Sequence, residues 1–122
     1  LEVEAREALP YVILTDPLPA GVEVVEGQAT GPFDWQERRD EKQVFFLTDL
    51  PKGKTVVTYL VQAIHPGSYT ALPTFAWPMY EPEIQGHTDE RQFSIDRWVH
   101  LHSSYTTGHH IPHVSILYML DV

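Results

Sequence analysis

The chain has 122 residues, no cysteine, and a formal net charge of −9. This length suits one domain with a real core, and the missing thiol excludes a disulfide framework, a cysteine nucleophile and a thiolate zinc site. Residues 1–96 hold sixteen Asp and Glu against seven Lys and Arg, a balance that repels a phosphate backbone and anionic lipid headgroups. No nucleic-acid partner and no direct membrane insertion are therefore expected. No run of 18 or more apolar residues occurs, and no basic and apolar leader is visible.

Strand signals follow one another along the chain. "LEVEAREAL" alternates apolar and charged residues as a half-buried strand does. "YVILTD" is a short β-branched run, closed by "PLPAG", where Pro17 and Pro19 remove backbone donors. "VEVVEG" is a third strand, ending at Gly27. Residues 28–42 read as a long polar loop in which Asp34 to Lys42 has room for one short helical turn, with Asp34 as N-cap. Phe33 and Trp35 are expected to tack this loop onto the core.

"QVFFLTDL" resumes the strands, and "PKG" is a tight turn. "KTVVTYLVQAI" carries apolar residues on both faces and reads as a central, buried strand. After "HPG", "SYTALPTFAW" is extended, with Pro73 demoting its middle to an edge or a bulge. "PMYEPEIQG" is a Pro-bounded surface loop, and "RQFSID" is a last strand. About seven short strands punctuated by Pro and Gly predict an all-β, antiparallel β-sandwich.

Composition changes after Asp96. Residues 97–122 contain five of the seven His, with one Arg, one Asp, no Lys and no Glu. The sequence thus divides into a domain over 1–96 and an atypical His-rich tail over 97–122, which reads either as a structural addition or as a reading-frame artefact.

Chemistry is sparse. No Ser sits in a G-x-S-x-G elbow, and no Gly-rich phosphate loop exists. Glu81, Glu83, Asp89 and Glu90 read as a solvated acidic face. His100, His102, His109, His110 and His113 are weak metal candidates. Their spacing matches no compact site, and Pro112 would break a helix carrying His109 with His113. A loosely ordered His-rich tail without a metal is the simpler reading. No cofactor and no catalytic residue are expected.

Three passages carry a resemblance. "YVILTDPLPAGVEVVEG" resembles the Y-x-x-x-x-D-P-L-P-A-G opening of the last domain of bacterial alpha-2-macroglobulins. "WQERRDEKQVFF" resembles that family's R-x-x-R-D-D-R stretch. "TYLVQAIHPGSYTALPTFAWPMYEPEIQG" resembles its closing signature, A-x-x-P-G-x-F-x-x-P-P and then M-Y-x-P-E-x-x-G, with Ala71-Leu72-Pro73 where two prolines are frequent. The passages keep the family's order and span residues 1–96; the tail has no counterpart.

The resemblance implies a C-terminal macroglobulin-like, receptor-binding-like β-sandwich that is not an enzyme. It would belong to a large protease trap of the bacterial periplasm or cell envelope, secreted or membrane-anchored. Its partners would be the thioester-bearing domain of the same parent chain and, indirectly, trapped proteases. The family's Met-Tyr pair covers the thioester, which points here to Met79 and Tyr80, held by Pro78 and Pro82 and anchored from behind by Trp77. Two other functions compete. A free-standing binding module would use Trp35, Trp77 and Tyr80 on sugars or a protein. A metalloenzyme built on the tail ranks last, lacking a carboxylate base near its His.

Overall fold

A computed structural model describes residues 1–96 and the backbone of Met119–Asp121. Its strands are β1 (Glu2–Ala5), β2 (Leu9–Pro17), β3 (Val22–Val24), β4 (Trp35–Arg39), β5 (Lys42–Leu50), β6 (Gly53–Val56), β7 (Val61–Ala63), β8 (Gly67–Ala71), β9 (Phe75–Pro78), β10 (Gly86–His87), β11 (Arg91–Ile95) and β12 (Met119–Asp121). The pairs among β1–β11 are all antiparallel. β12 alone runs parallel to its neighbour, β1.

The largest sheet has the order β10-β9-β2-β5-β4. Its spine is the long pair β2–β5, in register from Leu9↔Leu50 to Pro17↔Lys42. Alternation along β2 turns Val12 and Leu14 inward, both fully buried, while Ile13 and Thr15 turn outward. Phe45 and Leu47 of β5 and Ala76 of β9 join the same inner layer. Against them pack Val3 and Ala5 from the β12-β1-β6 sheet, together with Leu1, Val57 and Ala71. Two further pairs, β3–β7 and β8–β11, complete an all-β sandwich. Phe45 sits at its centre, its ring 5.1 Å from Phe33 and 5.7 Å from Tyr59.

Two expected elements are corrected. The stretch Asp34 to Lys42 holds no helical turn: it is edge strand β4, paired with β5 from Trp35↔Phe46 to Arg39↔Lys42. Asp34 caps the hairpin instead, its Oδ2 accepting the Thr48 backbone N–H at 2.7 Å while its own N–H donates to the Phe46 carbonyl at 2.8 Å. Asp40 makes the turn with φ 50°, a left-handed value that Asp tolerates better than most residues. Phe33 packs on the core as expected, whereas Trp35 points to solvent, 63% exposed.

The expected central strand over 54–64 is likewise two edge segments. β6 pairs with β1, and β7 pairs with β3. Between them Val57 is buried and Thr58 bridges Thr30. The chain changes sheets here, so its apolar residues face different neighbours rather than two sides of one strand. Pro73 does more than make the expected edge or bulge: the run breaks at Leu72–Thr74 and the chain passes from β8 into β9, in a different sheet.

Candidate functional site

β9 ends at buried Pro78, and the chain turns outward over Met79 and Tyr80. The Glu81 N–H donates to the Pro78 carbonyl at 3.3 Å, and the Ile84 N–H to the Glu81 carbonyl at 3.0 Å. Two successive tight turns therefore shape the loop, with Pro82 exposed within the second. The side chains at its tip face water: Met79 is 45% and Tyr80 76% exposed. Trp77 lies half-buried on β9, opposite Ile13 of β2.

Tyr11 supports this tip and has no counterpart among the residues singled out from sequence. Its carbonyl accepts the Met79 N–H at 2.8 Å. Its ring meets the Tyr80 ring edge-on, centroids 5.6 Å apart and planes at 89°, the geometry that aligns a ring's positive edge with its neighbour's face. Tyr11 holds φ 51° in the interior of β2. An L-residue there costs roughly 1–2 kcal/mol, so the surrounding ladder must hold it. The register shows that it does: Pro10↔Asp49 and Val12↔Leu47 flank Tyr11 without a slip. The sequence signal was a Tyr directly after Pro10 at the start of a strand, too weak to name a role.

Beneath the sheet lies Asp16, only 3% exposed. Its carboxylate accepts from the Tyr59 hydroxyl and, at 2.6 Å, from Thr74 Oγ1. The Thr74 N–H donates to Thr88 Oγ1 at 2.9 Å, and the Thr88 N–H returns to the Thr74 carbonyl at 3.0 Å. One network thus ties β2 to the segments entering and leaving the β9–β10 hairpin. Burial pushes the Asp16 carboxyl above the ordinary Asp range, against the opposing pull of the Thr74 and Tyr59 hydrogen bonds. The motif "TDPLPAG" marked a turn but gave no hint that its acid is buried.

Chemistry elsewhere is limited. A cleft of about 310 Å³ runs between Val24–Ala29 and the β4–β5 hairpin, and Glu26, Glu37, Arg38, Gln43 and Tyr59 line it without a Ser, Cys or His. Among the described residues no group of three or more His, Cys, Asp or Glu is placed to hold a metal. His100, His102, His109, His110 and His113 lie outside the described residues.

Residues 1–83, the sandwich spine with its tip, match the family model for the bacterial alpha-2-macroglobulin MG10 domain. The chain belongs to that family. It is also 32% identical over 108 residues to an alpha-2-macroglobulin of Xylella fastidiosa strain Temecula1 / ATCC 700964, covering 70% of this chain. A second, from Xylella fastidiosa strain 9a5c, is 31% identical over the same length. The chain spans about 6% of the length of these curated relatives. No solved structure matches. The MG10 match ends at Glu83, just past the tip, so Tyr11, Trp77, Pro78, Met79, Tyr80 and Pro82 all lie within it.

Proposed function

We propose that this MG10 domain is the non-catalytic C-terminal domain of a bacterial alpha-2-macroglobulin-type protease inhibitor. In that setting it shields the thioester of a neighbouring domain of the same polypeptide and so supports protease trapping in the periplasm or cell envelope. The observation that carries this reading is the Met79–Tyr80 tip, exposed yet braced by Tyr11 within the family-matched region.

The physical case concerns water. A thioester is an activated acyl group, open to attack by water and small amines. A thioether adapts to an irregular pocket, and a phenol ring covers a wide area, so together they exclude small nucleophiles. Burying two such side chains on a partner contributes on the order of 3 kcal/mol, allowing for the area already covered in the free domain. Pro78 and Pro82 restrict the loop, so less entropy is lost on docking. The chain holds no cysteine, so the reactive bond belongs to the partner domain.

A second reading, a free-standing binding module for sugars or a protein, draws support from Trp35 and Tyr80, 63% and 76% exposed. The two readings separate in the genome. An in-frame continuation upstream of Leu1 over many hundred residues, encoding a Cys-x-x-Gln loop, is expected for the inhibitor. A stop codon or a leader directly before Leu1 would overturn it in favour of the binding module.

A further inference from the structure

The strand register lays a band of large apolar side chains across the outer face of the five-stranded sheet. Trp77 of β9 opposes Ile13 of β2, Ile13 opposes Phe46 of β5, and Phe46 opposes Trp35 of β4. Directly opposed residues share a face, with Cβ atoms about 4.5–5.5 Å apart, so the four are continuous from β9 to the edge. They alternate with Val12, Leu14, Phe45 and Ala76, which fill the core on the other face. Of the band, Trp35 is exposed and Ile13, Phe46 and Trp77 are half-buried, while Val44, beside Phe46 on the same face, is buried.

Antiparallel sheets normally turn polar residues to water. Here Tyr11, Trp35, Phe75, Met79 and Tyr80, five of the eight exposed large apolar side chains among the described residues, lie on this face or at its tip. Scattered apolar residues need no explanation, but contiguous ones mark an interaction surface. Trp, Tyr and Met are also the residue types enriched in interface cores. A polar rim is present as well, since the Arg39 guanidinium lies 5.8 Å from the Phe46 ring centroid and pairs with Glu37.

Band and tip adjoin. Met79 follows Trp77 by two residues, just past the end of β9, and its N–H donates to the carbonyl of Tyr11, two residues before Ile13 on β2. We propose that this outer face, from Trp35 to Trp77, docks against the same neighbouring domain that the Met79–Tyr80 tip covers, so that the tip is one end of a broad interdomain interface. This inference rests on the reading given above.

The occupant follows from size and chemistry. This chain spans about 6% of its curated relatives, and a tethered neighbour acts at millimolar effective concentration. A band crossing four strands is about 15 Å wide, which suits the surface of a folded domain. An added peptide strand would instead seek the backbone of an edge. Between its outer indoles the row holds Ile13 and Phe46, both apolar, and the nearby Arg39 and Glu37 pair with each other at the rim.

Single cysteines test this directly, read by maleimide labelling and peptide mass spectrometry. Trp35→Cys and Met79→Cys are each made in the free 122-residue chain and in the full-length parent. Thr48→Cys, exposed two residues beyond Phe46 on β5, serves as a second reporter if Trp35→Cys fails to fold. The expected result is that the parent slows labelling at both the band and the tip by about tenfold or more relative to the free chain, as burial in a stable interface does. Protection at Met79→Cys alone would overturn the broad interface and leave the tip reading standing. Protection at neither position would overturn both. Self-association of the free chain in sedimentation, abolished by Trp35→Glu, would make a second copy the occupant and would also overturn the proposal.

Discussion

Tyr11 offers the sharpest test of how the tip is built. Its φ of 51° is a conformation that glycine adopts freely and that costs any L-residue with a Cβ roughly 1–2 kcal/mol. In an ordinary strand interior Ala is more stable than Gly by about 0.5–1 kcal/mol, because Gly loses more backbone entropy. At Tyr11 the two effects oppose each other, and the strain is the larger. Tyr11→Gly should therefore be more stable than Tyr11→Ala by about 0.5–1 kcal/mol, a reversal of the usual order. Both variants lose the edge-on contact with Tyr80, so that loss cancels in the comparison. Urea denaturation followed by tryptophan fluorescence measures the difference. Thermal melts should show Tyr11→Gly higher by about 2–6 °C in a domain of this size. Tyr11→Phe retains both ring and strain and should stay close to the parent sequence. Equal stability of the Gly and Ala variants, or an advantage for Ala, would refute a left-handed Tyr11 and with it the bracing of Met79.

Two more outcomes follow from the interior. The Asp16 carboxyl has a folded pKa above its unfolded value of 3.8, so between the two the folded state holds a proton that the unfolded state has released. Its contribution is therefore fullest below pH 3.8 and declines as pH rises through the folded pKa. The melting temperature of the parent sequence minus that of Asp16→Asn should fall across that window; a constant or widening gap would contradict the buried, proton-holding Asp16. Phe45→Ala removes a fully buried ring at the junction of the two layers and should cost about 3–5 kcal/mol in urea denaturation. A loss below about 1 kcal/mol would show that Phe45 is not at the centre of the core.

The sequence revealed the fold class because Pro and Gly cut the chain into runs too short for anything but strands. It also located the closing loop, since Pro78 and Pro82 bracket Met79 and Tyr80. β4 stayed hidden because an edge strand buries little; "WQERR" is mostly charged, as edges tend to be, and local polarity looks the same in a loop. The run 54–64 misled for the opposite reason. Apolar residues on both faces suit a central strand, but they equally suit a chain that leaves one sheet and joins another, and only long-range pairing tells these apart. Tyr11 and Asp16 were illegible for a related cause: a left-handed φ and the burial of one carboxylate are set by neighbours more than 30 residues away. The Trp77–Ile13–Phe46–Trp35 band required the register of three strand pairs, which no single segment carries.

Shielding by the Met79–Tyr80 tip is tested most directly in the full-length parent, by following thiol release on exposure to methylamine. Release from the Met79→Ala, Tyr80→Ala double variant should run about tenfold or more faster than from the unaltered protein, as loss of roughly 1.4 kcal/mol of protection requires. Release at an unchanged rate, with the variant folded, would contradict the shielding role while leaving membership of the MG10 family intact.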